Sequence, residues 1–189
     1  MADCAGEFQH FRRRGFNVIV PDFIGYGMSS GTPSEQGVYA TADAAFDHLL
    51  SRSDIDTTKI VPFGWSLGGA AAIHLGSTRQ VPCVVTVSAF TSLPAMGRRL
   101  FPYMPTGLIL RYKFDNETKL RGMKLPIFLG HGTRDSIIPF DMSQKLQQAA
   151  AGPVTKYDVV DGDHNDVFDV GGTGLLDAIG QFIEQNAAK

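Results

Sequence analysis

The apolar positions of this chain fall into short runs separated by polar, glycine-bearing punctuation, and the runs alternate between helical and extended periods. Cys4, Phe8 and Phe11 recur at helical spacing until Gly15 stops the pattern, which predicts a first helix. Phe16-Asn17-Val18-Ile19-Val20 then reads as a strand, closed by Pro21-Asp22 and the loop Gly25-Tyr26-Gly27. Ala42, Ala45, Phe46, Leu49 and Leu50 fall at i, i+3, i+4, i+7 and i+8, the stripe of an amphipathic helix. Lys59 to Phe63 reads as a strand, and the small residues from Leu67 to about Ser77 as the helix that follows it. Val81 to Ala89 and Leu125 to Gly130 are continuous apolar runs, as strands covered on both faces require. Asp141-x-x-Gln144 has the form of a capping box and predicts a helix from Asp141. Thr155 to Val160 is a last strand, and Leu175, Ile179, Phe182 and Ile183 mark a closing helix.

Helix and strand alternating in this way imply an α/β domain: a mainly parallel sheet of about five strands with helices on both faces. One domain spanning residues 1–189 accounts for the whole chain. The stretch 90–124 breaks the alternation, because it is too long for a plain crossover. It carries Phe101, Tyr103, Met104, Leu108 and Tyr112 among basic residues. An insertion of that kind in a compact domain predicts a small cap over the C-terminal ends of the strands, where open α/β sheets bind their ligands.

Composition narrows the chemistry. A net charge of -2 gives no electrostatic footprint for nucleic acid, and Arg12-Arg13-Arg14 reads as the solvated C-terminal end of a helix. Cys4 and Cys83 are too few for a disulfide framework and read as reduced packing residues. No apolar stretch has the length of a membrane span and no signal region opens the chain, so a cytoplasmic protein is expected. Asp161, Asp163 and Asn165 match the first half of a calcium loop. The sixth and twelfth positions hold Asp166 and Gly172 instead of Gly and Glu, so no metal is expected there.

The chemistry concentrates at Gly64-Trp65-Ser66-Leu67-Gly68-Gly69. This is G-x-S-x-G between an apolar strand and a small-residue helix, the context of a nucleophile elbow. A chance turn is the competing reading in a chain of 21 glycines, and the strand–turn–helix setting argues against it. Such an elbow exposes Ser66 Oγ and aims helix N–H groups, led by that of Leu67, at a developing oxyanion. A serine hydroxyl needs a base, and the base an orienting acid. Asp135 follows the strand ending at Gly130, and His164 follows the last strand. Both therefore emerge on the same sheet edge as Ser66. Asp135 could instead be a turn former, with Asp141 as the acid, although helix capping explains Asp141. His10 and His48 read as surface residues, His74 as packed within the elbow helix, and His131 as a brace near the site.

Together these residues resemble the α/β-hydrolase superfamily, and within it the serine-aminopeptidase-like, BEM46-type branch. The resemblance runs over nearly the whole chain. It rests on the elbow, the Gly25-Tyr26-Gly27 loop, His131-Gly132-Thr133-Arg134-Asp135 and His164-Asn165-Asp166. It implies Ser66 as nucleophile, Asp135 as acid, His164 as base and the Leu67 N–H as an oxyanion donor. It further implies cleavage of small or medium acyl esters through an acyl-enzyme, with no cofactor. A peptidase or acyltransferase would use the same residues. Trp65, Phe23, Phe90 and Phe101 are the expected substrate-binding residues. The family places a strand and a His-Gly loop ahead of the first helix, and no His-Gly lies upstream of Ser66 here. This departure implies that the Phe16–Val20 strand closes on the elbow strand, or that another segment or chain fills the gap, as in a dimer covering the incomplete sheet. A fragment, or a weakly active scaffold acting through a partner, would share the same feature.

Overall fold

The computed structural model describes residues 5–187, so Cys4 lies outside the described residues. Four parallel strands form its sheet, in the order β1 (Phe63–Trp65), β2 (Val84–Val87), β3 (Ile127–Gly132), β4 (Val154–Val159). Chain order and spatial order coincide, so each successive strand is laid on the same edge. β2 and β3 are fully buried, which explains their unbroken apolar character. Their side chains divide between two cores. Val85, Val87 and Phe128 face α1 (Ala5–Arg13) and α8 (Val167–Ala187) through Phe11, Leu175, Ile179 and Phe182. Val84, Ile127 and Leu129 face the other layer, where Phe46, Ile73, Leu120 and Leu146 come from α2 (Glu35–Leu50), α3 (Leu67–Thr78), α6 (Asn116–Gly122) and α7 (Phe140–Ala149). Helices thus cover both faces, as the alternation predicts. Cys83 is buried and free, and burial pushes its thiol up to about 12, which makes it a packing residue.

Several local readings are corrected. Phe16–Val20 is not a strand. The segment leaves α1 through Gly15 at φ 89° and runs outside the sheet without regular structure, with Val18, Ile19 and Val20 exposed at 41%, 47% and 40%. Periodicity reports an extended, apolar backbone, but a strand also needs a neighbour to complete its ladder. Among the described residues, β1 pairs only with β2, so the expected closure of Phe16–Val20 on the elbow strand does not occur. Only Phe16 is anchored, its ring edge-on to Phe11 at 6.3 Å. Lys59 ends a 3-10 turn, and β1 begins only at Phe63. Asp141 does not cap α7. Pro139 stands at the N-cap, and the Asp141 carboxylate accepts from Lys145 and Arg99 at 2.8 and 2.6 Å. Arg14 is more than a solvated helix end, since it pairs with Asp177 and Glu184 at 2.7 and 2.9 Å and ties α1 to α8.

The stretch 90–124 holds three short helices instead of one crossover helix: α4 (Leu93–Leu100), α5 (Thr106–Ile109) and α6. Ser92 caps α4 by accepting from Ala95 N at 3.3 Å, and Asp115 caps α6 by accepting from Thr118 N at 3.1 Å. α6 packs against α3 and α7 as part of the helical layer, while α4 and α5 pack on each other.

Candidate active site

Ser66 lies in the turn between β1 and α3, at φ 55° and ψ -118°. A β-carbon there is strained, at a cost of roughly 1–3 kcal/mol, and the surroundings hold it in place. Its N–H donates to Val87 O at 3.0 Å, which ties the turn to the end of β2. Gly64 makes the turn possible, because a side chain there would overlap the Gly68 carbonyl where α3 begins. Leu67 opens α3, so its N–H belongs to the first turn, whose donors have no helical acceptor.

The loops after β3 and β4 bring two more groups to this turn. His164 Nε2 lies 3.0 Å from Ser66 Oγ, and His164 Nδ1 lies 2.9 Å from Asp135 Oδ2. Both His164 and Asp135 are buried. The other oxygen of Asp135 accepts from the N–H groups of Ile137 and Ile138 at 3.0 and 2.6 Å, so the carboxylate is fully engaged. Burial pushes the Asp135 carboxyl upward. The hydrogen bonds from His164 and Ile138 outweigh that push and hold it below its ordinary value, so it is ionised at neutral pH. This carboxylate therefore fixes the imidazole with Nδ1 protonated, leaving Nε2 able to accept from the serine hydroxyl.

Two residues that sequence reasoning left in minor roles support this arrangement. Asp163 Oδ1 accepts from Ser136 N at 2.6 Å and from His164 N at 2.7 Å, while Oδ2 accepts from Ser136 Oγ at 3.0 Å. One side chain thus fastens the loop bearing Asp135 to the loop bearing His164. In sequence it stood out only as a neighbour of His164 and as part of the incomplete calcium-loop pattern. His131, fully buried on β3, donates from Nε2 to Ile138 O at 2.8 Å and lies 3.4 Å from Asp135. Burial lowers its affinity for a proton, so it stays neutral. The remaining histidines stand apart. His74 bonds Asp43 at 3.0 Å and stacks on Tyr39, His10 lies 3.3 Å from Asp177, and His48 is exposed.

A cavity of about 400 Å³ opens beside Ser66 and Leu67. Phe90, Leu93, Met96, Tyr112 and Phe114 line it from the 90–124 stretch, and Val38, Tyr26 and Ile138 from elsewhere. Of the four expected binding residues, Phe90 alone is in the lining. Trp65 lies under the site, its ring 5.4 Å from that of His164. Phe23 packs edge-on to Tyr26, and Phe101 is exposed and outside the lining. The side chains at Tyr26, Val38 and Phe114 come from three distant segments, so no sequence window contains this pocket. Glu35, in the first turn of α2, accepts from the N–H groups of Lys113 and Phe114 at 2.8 and 3.0 Å. It holds the cavity wall, where Phe114 adopts φ 43°. Among the described residues no group of three His, Cys, Asp or Glu side chains is placed to hold a metal ion.

An open parallel sheet with an elbow serine, a histidine and a carboxylate at its C-terminal edge defines the α/β-hydrolase class. Residues 3–129 match the model of the Alpha/beta hydrolase family, and the chain belongs to that family. It is 37% identical over 174 residues to the uncharacterized Mycobacterium tuberculosis protein Rv2307c, covering 92% of this chain and 62% of that protein. It is 32% identical over 189 residues to the alpha/beta hydrolase domain-containing protein WAV2 of Arabidopsis thaliana, covering 90% of this chain and 61% of that one. The chain therefore spans about three-fifths of the length of these curated relatives. Among solved structures, the Pyrococcus furiosus esterase Pf2001 superposes with a TM-score of 0.77 at 21% identity, over 96% of this chain and 75% of that one. The monoacylglycerol lipase of Paleococcus ferrophilus superposes with a TM-score of 0.70 at 18% identity, over 98% and 90%. These two share the fold.

Proposed function

We propose that the chain is a serine hydrolase that cleaves small to medium acyl esters through Ser66, His164 and Asp135. The observation that carries this reading is the unbroken hydrogen-bonded line from Ser66 Oγ through His164 to Asp135, at 3.0 and 2.9 Å. In the reaction, His164 Nε2 takes the hydroxyl proton as Ser66 Oγ bonds to the ester carbonyl carbon. The carbonyl oxygen becomes an oxyanion beside the Leu67 N–H. Collapse breaks the carbon–oxygen bond to the alcohol, which leaves with the proton from His164. Water, deprotonated by His164, then attacks the acyl-serine. The acid forms, and Ser66 recovers its proton. Asp135 stays ionised throughout and stabilises the imidazolium that forms twice in the cycle.

The apolar lining from Phe90, Met96 and Phe114 favours an acyl chain over a charged or sugar moiety. A volume of about 400 Å³ suits a small or medium acyl group. The superposing esterase and lipase support ester chemistry at the level of the fold. A fluorophosphonate probe tests the assignment. Labelling is expected in the native chain, absent in Ser66→Ala and strongly reduced in His164→Ala. A folded native chain that takes no label and hydrolyses no member of an acyl-ester series of increasing length would sink the hydrolase reading and favour a scaffold.

A further inference from the structure

The surface of α4, α5, the turn between them and the segment that follows α5 combines two features. From Leu93 to Phe114 there are four basic residues, Arg98, Arg99, Arg111 and Lys113, and no carboxylate, in a chain that is acidic overall. Arg99 pairs with Asp141, whereas Arg98, Arg111 and Lys113 make no ion pair among the described residues, although Arg111 and Lys113 border a cleft that also holds Glu35 and Asp115. The same stretch exposes large apolar side chains. Tyr103 is 99% exposed, Leu108 89%, Ile109 58% and Phe101 57%. This exposure follows from how α5 is seated. Thr106 is buried and donates through Oγ1 to Pro94 O at 2.9 Å, and Gly97 packs against Thr106 and Leu110. With those two positions turned inward onto α4, Leu108 and Ile109 face outward.

We propose that this face docks on a lipid bilayer carrying anionic headgroups, beside the mouth of the Ser66 cavity. Apolar side chains flanked by unpaired arginine and lysine are what such an interface binds, with the first entering the acyl boundary and the second meeting the headgroups. A second copy of the chain fits less well, because a two-fold contact through this patch would set identical basic groups against each other. α4 contributes both to this face and to the cavity wall. Leu93 and Met96 of α4 and Tyr112 line the cavity, as do Tyr26 and Ile137, which are also exposed. An ester with an apolar tail held in the bilayer would then lie beside a largely apolar cavity that leads to Ser66. That last step rests on the hydrolase reading; the docking face does not.

The test uses the full chain with Ser66→Ala, so that binding is measured without turnover. It is sedimented with vesicles of phosphatidylcholine alone and of phosphatidylcholine mixed with phosphatidylserine. Binding is expected to the mixed vesicles, weakening as salt rises. Neutralising Arg98, Arg111 and Lys113 to Gln is expected to lower partitioning by about fivefold each, on the order of a hundredfold together. Leu108→Ser with Ile109→Ser should also weaken it, while fluorophosphonate labelling of Ser66 in the otherwise native chain stays unchanged. Circular dichroism verifies that each variant is folded. No binding by folded protein, or binding indifferent to both sets of substitutions, overturns the proposal. So does a concentration-dependent dimer abolished by Leu108→Ser, which would assign the face to a second copy. Vesicle binding without any labelling of the native chain would keep the docking face and remove the hydrolase.

Discussion

Asp135 engages three partners with one carboxylate, and its value lies in the state it imposes on His164. Oδ1 is committed to two backbone N–H groups and Oδ2 to the imidazole, so the ring is held in the tautomer that can accept from Ser66. Asp135→Asn keeps the shape but can present an N–H where a negative charge stood. The imidazolium then loses its stabilisation and the ring its preferred tautomer. On the proposed mechanism, kcat is expected to fall by about 10⁴ with a much smaller change in KM. Steady-state kinetics on a short acyl ester checks this, and an equal rise in KM with an unchanged kcat would contradict it. The backbone N–H groups of Ile137 and Ile138, and the Asp163 carboxylate that joins the two loops, were invisible in sequence. Their roles depend on a backbone path, and an Asp beside a His carries no mark of what it will touch.

At the level of elements, the legible features were those whose pattern comes from their own burial. β2 and β3 are buried on both faces, α3 is built from small residues, and all three stand close to their expected positions. Phe16–Val20 misled because a short apolar run is common to strands and to segments that pair with no neighbour. The structure assigns it no ladder, which gives a measurable consequence. Ile19→Thr with Val20→Thr should shift the urea unfolding free energy by less than about 1 kcal/mol, as exposed positions do. Ile127→Ala, on the central β3, should cost about 2–5 kcal/mol. A comparable loss at both places would mean that Phe16–Val20 is packed against a neighbour in solution. α7 misled for another reason. Asp141 and Gln144 have the spacing of a capping box, but Pro139 already sets the chain direction with φ -57°, one residue before the helix begins.

For the whole molecule, the buried pair His131 and Asp135 links stability to pH. Burial lowers the proton affinity of His131 in the folded state, below the ordinary value of about 6.5. The unfolded chain therefore binds the proton first as pH falls. His131's contribution to stability is complete above pH about 6.5 and declines as pH drops from there toward its folded-state value. Asp135 is likewise held below its ordinary value. Its contribution is complete above pH about 4 and is lost as pH falls through the depressed value. Thermal midpoints measured from pH 8 downward should thus fall in two stages. His131→Asn should flatten the first stage and leave the second. A first stage unchanged in that variant would place its origin in another group.

The sequence by itself determined the α/β class, the order of most elements, and the positions of the serine, carboxylate and histidine proposed for catalysis. Each of those follows from local information: a period of burial, a glycine-flanked serine, or a residue type at the end of a strand. The tertiary structure alone decided that Ser66, His164 and Asp135 share a hydrogen-bonded line, that Phe90 lines the cavity while Phe101 does not, and that Phe16–Val20 stays outside the sheet. It also decided that α5 turns Leu108 outward. Those outcomes depend on which distant segments meet, and a contact between segments has no signature in either one alone.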